Sequence, residues 1–477
     1  INAASRLRQH FDNDEKRGLN ARVIIDDRFN KSVCLDLESF LIRLFAGDGR
    51  FEVLNRNEGI TDADYFDRHR YRRAFTEVFE ALRAEGLFSR SIKDIENDDL
   101  YKLSPFKSLN EEQGIAVDGI VDDLLQDLER GAETTAVVQG DPGTGKTIVA
   151  IFLMKLLQDI RDWTPKEQEY SDSMFSEFFV PENAAALKDL RMALVVPQQS
   201  LRESIKRVFH RTSGLSKRMV LSPFEVGAAE GTFDLLVVDE SHRLNQRANQ
   251  PSAAQNAKFR DITTALFGWD DLSKTQLDWI IAKSRHRILL LDAAQSVRPA
   301  DLPRTTVDAV VATAANDHRR YRLLSQMRVQ GGADYVDHVR GILDGTATGP
   351  VDLGGYEFTL CDDLVAMRDA IVARDRAVGL SRLVAGYAWE WRSKNDRTAF
   401  DISIDGVDLR WNSTAKDWIA STGSLAEVGS IHTVQGYDLN YAGVIIGPEF
   451  TMDAATGELR VDRARYADKK GKEDNPR

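Results

Sequence analysis

Gly140-Asp141-Pro142-Gly143-Thr144-Gly145-Lys146-Thr147 matches G-x-x-x-x-G-K-[ST] at every fixed position. That pattern suits a polyphosphate. The glycines let backbone N–H groups curl around phosphate oxygens, Lys146 reaches the β and γ phosphates, and Thr147 offers a hydroxyl to Mg²⁺. A partner motif follows. Residues 235–240, Leu-Leu-Val-Val-Asp-Glu, form an apolar run ending in two acids. Asp239 is placed to hold Mg²⁺ through water, and Glu240 to orient or deprotonate an attacking water. A second constellation lies near the start of the chain. Arg6 and His10 stand four apart on one helical face, Glu38 lies on the next helix, and Asn55 and Asn57 follow a short apolar run. A cation, an imidazole, a carboxylate and an amide suit phosphodiester cleavage, with Glu38 holding a divalent metal.

The elements that must position these groups are legible as a pattern. An apolar strand at 136–138 precedes the glycine-rich loop, and a helix opens at Ile148, so the helix dipole adds to the phosphate site. Further short apolar strands at 193–196, 235–238 and 288–291, separated by helical spacers, predict a parallel sheet covered on both faces. A second set follows at 381–385, 429–432 and 443–446. The first ~90 residues read as a small α/β unit. Helices are expected at 2–11, 32–45 and 65–85 and strands at 22–25 and 51–54; Val33, Leu37, Phe40, Leu41 and Leu44 share one face of the second helix. Charged residues 89–103 read as a linker.

Composition narrows the class. The 477 residues are 42% hydrophobic and 29% charged, which excludes collagen-like and wholly disordered chains. The net charge of −12 argues against a generally basic nucleic-acid coat but leaves room for a local groove. No apolar run is long enough to span a membrane. Two cysteines, Cys34 and Cys361, form neither a disulfide framework nor a zinc spacing, so a reducing cytoplasm is the expected setting. The chain opens on Ile1 without a signal peptide and is expected to start inside a longer protein.

Later motifs specify the kind of NTPase. Residues 106–113, with Leu109 and Gln113, resemble the Q-motif that reads adenine in helicases. Residues 195–201 resemble motif Ia, which touches a nucleic-acid backbone. Leu290-Leu291-Asp292-Ala293-Ala294-Gln295 resembles motif III, whose Gln295 would sense the γ-phosphate. Leu324-Ser325-Gln326-Met327-Arg328 resembles motif IV, whose Arg328 would reach across the ATP cleft. Residues 431–438, with Gln435 and Gly436, resemble motif V of superfamily 1 helicases. Residues 295–299, 385–389 and 431–436 are similar to the bacterial Schlafen group III-like DNA/RNA helicase family, over about residues 106–463. The resemblance implies two RecA-like parallel-sheet domains, ATP and Mg²⁺ as cofactors, and DNA or RNA as partner. No Thr-Arg-Gly-like motif VI precedes Arg477; Arg463 and Arg465 do not match it. The expectation is therefore a missing C-terminus or an incomplete ATP site.

The order Arg6, His10, Glu38, Asn resembles the C-terminal two-thirds of a GIY-YIG nuclease domain, whose naming strands would lie before Ile1. The expected fold is α/β, with a partial GIY-YIG-like domain at 1–88, a linker at 89–105, and RecA-like domains at 106–300 and 301–477. The expected function is an ATP-dependent nucleic-acid motor fused to a metal-dependent endonuclease, serving prokaryotic nucleic-acid surveillance or anti-phage defence. The alternatives are an ATP-driven switch or a binding scaffold that gates a protein partner or a second copy. Two side readings complete the set. The cluster Arg68-His69-Arg70-Tyr71-Arg72-Arg73 faces DNA or pairs with Asp62, Asp64 and Asp67, and Tyr387, Trp389, Trp391 and Trp411 are core aromatics ahead of base-stacking ones.

Overall fold

The computed structural model describes residues 20–467 other than 28, 56–67, 165–173, 248–251, 293–299, 328, 330–331, 348, 415–417, 435–437 and 454–455. Its centre is a six-stranded sheet: β1 (Thr134–Gly140), β2 (Met192–Val195), β3 (Val220–Leu221), β4 (Phe233–Val238), β5 (Ser284–Leu291) and β6 (Arg320–Leu323). The spatial order is β3-β2-β4-β5-β1-β6, and every pairing is parallel. Helices cover both faces, which explains the near-continuous apolar runs. Val138, Leu194, Leu235, Val237 and Leu290 enter one core with Phe152 and Phe209; Val137, Val195, Leu236, Val238 and Leu291 enter a second core on the other face. β6 pairs with β1 beyond the expected domain boundary at residue 300.

The second lobe holds a five-stranded sheet in the order β11-β7-β10-β9-β8, from β7 (Ser381–Ala385), β8 (Ile402–Ile404), β9 (Val407–Trp411), β10 (Glu427–Ser430) and β11 (Tyr441–Ile445). β8 and β9 form an antiparallel hairpin and the other pairs are parallel. β12 (Phe450–Met452) and β13 (Leu459–Val461) form a separate ribbon. Two α/β domains around parallel sheets are thus as expected. One local expectation fails: the predicted strand at 429–432 stops at Ser430, and Ile431–Val434 turns into a short helix.

Among the described residues, the N-terminal region is helical. α1 (Lys31–Asp48) starts at Asn30, whose side chain accepts from Val33 N, and ends at Gly49 with φ +66°. α2 (Arg68–Ala84) packs on it through Phe79, Leu82 and Leu44. The predicted strands do not form here: residues 22–25 are irregular, and 51–54 contributes only a bridge from Val53 to Thr212. The expected linker is ordered as two short helices, α3 (Ile92–Glu96) and α4 (Asp99–Lys102), capped by Ser91 and Asp98. The helix expected at 2–11 lies outside the described residues. No helix of the described residues is long and apolar enough to cross a membrane.

Candidate active site

β1 delivers the chain to Gly140, and α6 of the first lobe's helices in chain order (Lys146–Arg161, preceded by α5, Glu111–Arg130) begins six residues later. The loop between them needs left-handed backbone at Gly143 (φ +88°) and Gly145 (φ +82°), which glycine adopts without a Cβ penalty. The Lys146 ammonium donates to the carbonyls of Gly140 at 2.6 Å and Asp141 at 2.9 Å. The Thr147 hydroxyl donates to Asp239 Oδ2 at 2.8 Å, joining this loop to the end of β4.

Asp239 is fully buried, and its carboxyl is pushed up to about 7. Desolvation is the main cause and the adjacent Glu240 charge adds to it; the Thr147 hydroxyl and Lys146 pull the other way. Glu240 takes left-handed backbone, φ +48°. Its carboxylate lies 3.1 Å from Arg243 Nε and 3.3 Å from His242 Nε2. His242 is buried, and Nδ1 accepts the Asp292 N–H at 3.2 Å. That leaves Nε2 to carry the proton, close to Glu240 but without a hydrogen bond to it, while burial holds the imidazole below its usual range.

A second ring of contacts encloses the loop. Gln113 caps α5 reciprocally with Asn110 and donates to Thr144 O at 3.0 Å and Met327 Sδ at 3.3 Å. The segment after β6 folds onto the loop: Gln326 Nε2 donates to Pro142 O at 2.7 Å, and Met327 N to Gly143 O at 2.9 Å. Glu112 holds that segment by accepting from Leu324 N and Ser325 N, each at 2.9 Å. Arg340 pairs with Asp141 at 3.0 Å. An open cavity of about 770 Å³ adjoins the loop, lined by Lys146 and Glu240, by Lys93 and Lys102 of the connector, and by Asp375 and Arg382 of the second lobe.

The structure thus gathers Gln113, Gly140, Asp141, Pro142, Gly143, Thr144, Gly145, Lys146, Thr147, Asp239 and Glu240 around one loop. The hydroxyl of Thr147 and the carboxylate of Asp239 are hard oxygen donors of the kind Mg²⁺ takes. Gln295, Arg328, Gln435, Gly436, Arg6, His10 and Asn57 lie outside the described residues. Glu38 is exposed on α1, and no group of three His, Cys, Asp or Glu side chains gathers to hold a metal among the described residues. Of the basic cluster, Arg68 is turned to Asp36 in a double contact at 3.0 Å. Trp411 is buried and stacks on Tyr387 at 5.5 Å, in the second lobe's core. Sequence reasoning missed Glu112, Arg340 and the Arg243 contact to Glu240. The last had a signal in its i,i+3 spacing; the others join segments more than 190 residues apart.

Residues 133–477 match the family model of the Schlafen group 3, DNA/RNA helicase domain. The chain is also 23% identical over 360 residues to a Saccharomyces cerevisiae protein described as uncharacterized protein YPL245W, covering 70% of this chain and 73% of that one. With the matched domain spanning both lobes, the chain belongs to the Schlafen group 3 DNA/RNA helicase domain family.

Proposed function

We propose that this chain is an ATP-dependent nucleic-acid motor. The observation that carries the reading is the Thr147–Asp239 contact, which sets a phosphate-binding loop against a buried carboxylate at the mouth of a cavity between two lobes. Thr147 and Asp239 would hold Mg²⁺, which when bound screens charge on the phosphate oxygens. Lys146 exchanges its two loop carbonyls for β and γ phosphate oxygens. Glu240, which lines the cavity beside Arg243, takes a proton from water or orients it. Gln113 reads the base beside Met327. Gln295, Arg328, Gln435 and Gly436 complete the site, with Arg328, next in sequence to Met327 at the phosphate-binding loop, stabilising transition-state charge.

Phosphate release with and without single-stranded DNA or RNA tests this. Turnover stimulated by nucleic acid is expected. Turnover indifferent to both polymers would favour a switch that gates a partner, and no turnover would favour a scaffold.

The fuller proposal adds a metal-dependent endonuclease on the N-terminal module, using Arg6, His10 and Glu38 and serving the removal of foreign nucleic acid. Its support is the residue order in the sequence. Glu38→Ala should abolish Mg²⁺- or Mn²⁺-dependent cutting of labelled strands and leave ATPase intact; undiminished cutting would remove Glu38 from the metal site.

A further inference from the structure

The connector formed by α3 and α4 touches both lobes. On the first lobe, Asp99 Oδ2 accepts from Ser204 Oγ at 2.6 Å and Arg207 Nη2 at 2.9 Å, both on the helix Gln199–Arg211. On the second lobe it grips backbone. Lys93 Nζ donates to Arg376 O at 3.1 Å, Asn97 Nδ2 to Val378 O at 3.0 Å, and Lys102 Nζ to Asp438 O at 3.0 Å. Asn440 Nδ2 returns a bond to Asn97 Oδ1 at 3.2 Å. The approach is close enough to require glycine at 379: a Cβ there would sit 2.7 Å from Asn97 Nδ2, and φ is +77°.

This connector is a rigid piece of the N-terminal module. Ile95 is fully buried with Leu44, Phe79 and Phe88. Arg90 spans from Gly47 O at 2.5 Å to Asp98 Oδ2 at 2.7 Å, tying α1 to the start of α4. Ser91 and Asp98 cap the two helices through their own side chains. A rigid body bonded to two lobes sets the gap between them. Its grip on the second lobe falls at Val378 and Asp438, on segments that contribute Gly379 and Asp438 to the wall of the same cavity as Lys146 and Glu240.

We infer that Lys93, Asn97 and Lys102 are positioning residues that hold the second lobe off the phosphate-binding lobe and so restrain the closure on which hydrolysis depends. The inference rests on the ATPase reading above. Nucleotide alone must break these bonds to close the cleft, whereas nucleic acid lying across both lobes adds binding energy to the closed state. Basal turnover is therefore low and stimulated turnover high.

The test is the double variant Lys93→Ala/Asn97→Ala, with steady-state kcat and KM for ATP measured with and without single-stranded DNA or RNA. Lys93 is exposed and Asn97 only half-buried, so folding should survive, which melting checks. The chain's two cysteines, Cys34 on α1 and Cys361 ahead of the second lobe's helix Leu364–Val378, are both exposed. A dye pair on them reports the distance from N-terminal module to second lobe by energy transfer, whether or not ATP is hydrolysed. Basal kcat should rise about threefold or more, the stimulated kcat should hold, and the dye distance should broaden, as expected when one charge-assisted bond and the neutral amide bonds beside it are lost. Lys93→Arg, which keeps the donor, should behave as wild type. A basal kcat at or below wild type, or an unchanged distance distribution, overturns the inference. Absence of turnover in the wild type would instead sink the ATPase reading, and the dye distance would still decide whether the connector braces the lobes.

Discussion

The Thr147 hydroxyl meets the Asp239 carboxylate at 2.8 Å across 92 residues of chain. Thr147 sits in the first turn of the helix that leaves β1, and Asp239 just beyond the end of β4. β5 lies between those strands, so the contact crosses the C-terminal edge of the sheet, where ligands of open parallel sheets bind. It also gives Asp239 a partner in a site that otherwise penalises its charge.

Lys146→Ala should abolish ATP hydrolysis by removing the cation for the γ-phosphate. Glu240→Gln should bind nucleotide and fail to turn it over, because the amide keeps the shape and loses the base. Nucleotide binding by fluorescence and phosphate release separate the two effects. Wild-type turnover in Glu240→Gln would remove Glu240 from the role of base.

Asp239 makes stability depend on pH. Its folded carboxyl is raised from 3.8 to about 7, so between those values the folded state holds a proton that the unfolded chain has lost. Stability therefore falls as pH rises through that window and levels off above it. Without nucleotide or metal, Asp239→Asn should melt like wild type near pH ~4 and a few degrees higher near pH ~8. A gap that is largest in acid would contradict the buried, protonated carboxyl.

Gly145→Ala should disable the loop in two separable ways. Its Cβ would run into Gln113 Nε2, and φ +82° is left-handed. Removing the clash with Gln113→Ala in the same chain should recover only part of the stability. The backbone cost of about 1–2 kcal/mol remains. Chemical denaturation of the two single variants and the double variant measures the coupling.

Trp411→Ala should destabilise the second lobe by about 3–5 kcal/mol, since it empties a buried site. The ring is 1% exposed and packs with Tyr387, Trp389 and Trp391. Nucleic-acid affinity measured well below the melting temperature should stay near wild type; a large loss of affinity without loss of stability would mark a base-stacking role.

Arg328→Ala should cut turnover by about 10²-fold or more if the guanidinium stabilises transition-state charge. Normal hydrolysis by this variant would show that its charge serves elsewhere.

The order of residues alone determined the loop from Gly140 to Thr147, the acids after β4 and the parallel α/β class, because each is written in contiguous residues of fixed spacing. An apolar strand, a glycine-rich turn and a helix start need no distant partner to be recognised. The tertiary structure decided what depends on distant partners. Residues 22–25 are apolar enough for a strand but meet no neighbouring strand among the described residues, and an unpaired strand leaves its backbone groups without a ladder. Residues 89–103 are charged like a linker, yet Lys93, Asn97 and Lys102 find carbonyls about 280 to 340 residues away, and those contacts turn the stretch into a brace. The fold also brings the Asp292 amide to one ring nitrogen of His242 and sets Glu240 near the other. Such pairings are absent from local sequence because sheet order and helix packing, not spacing along the chain, bring their atoms together.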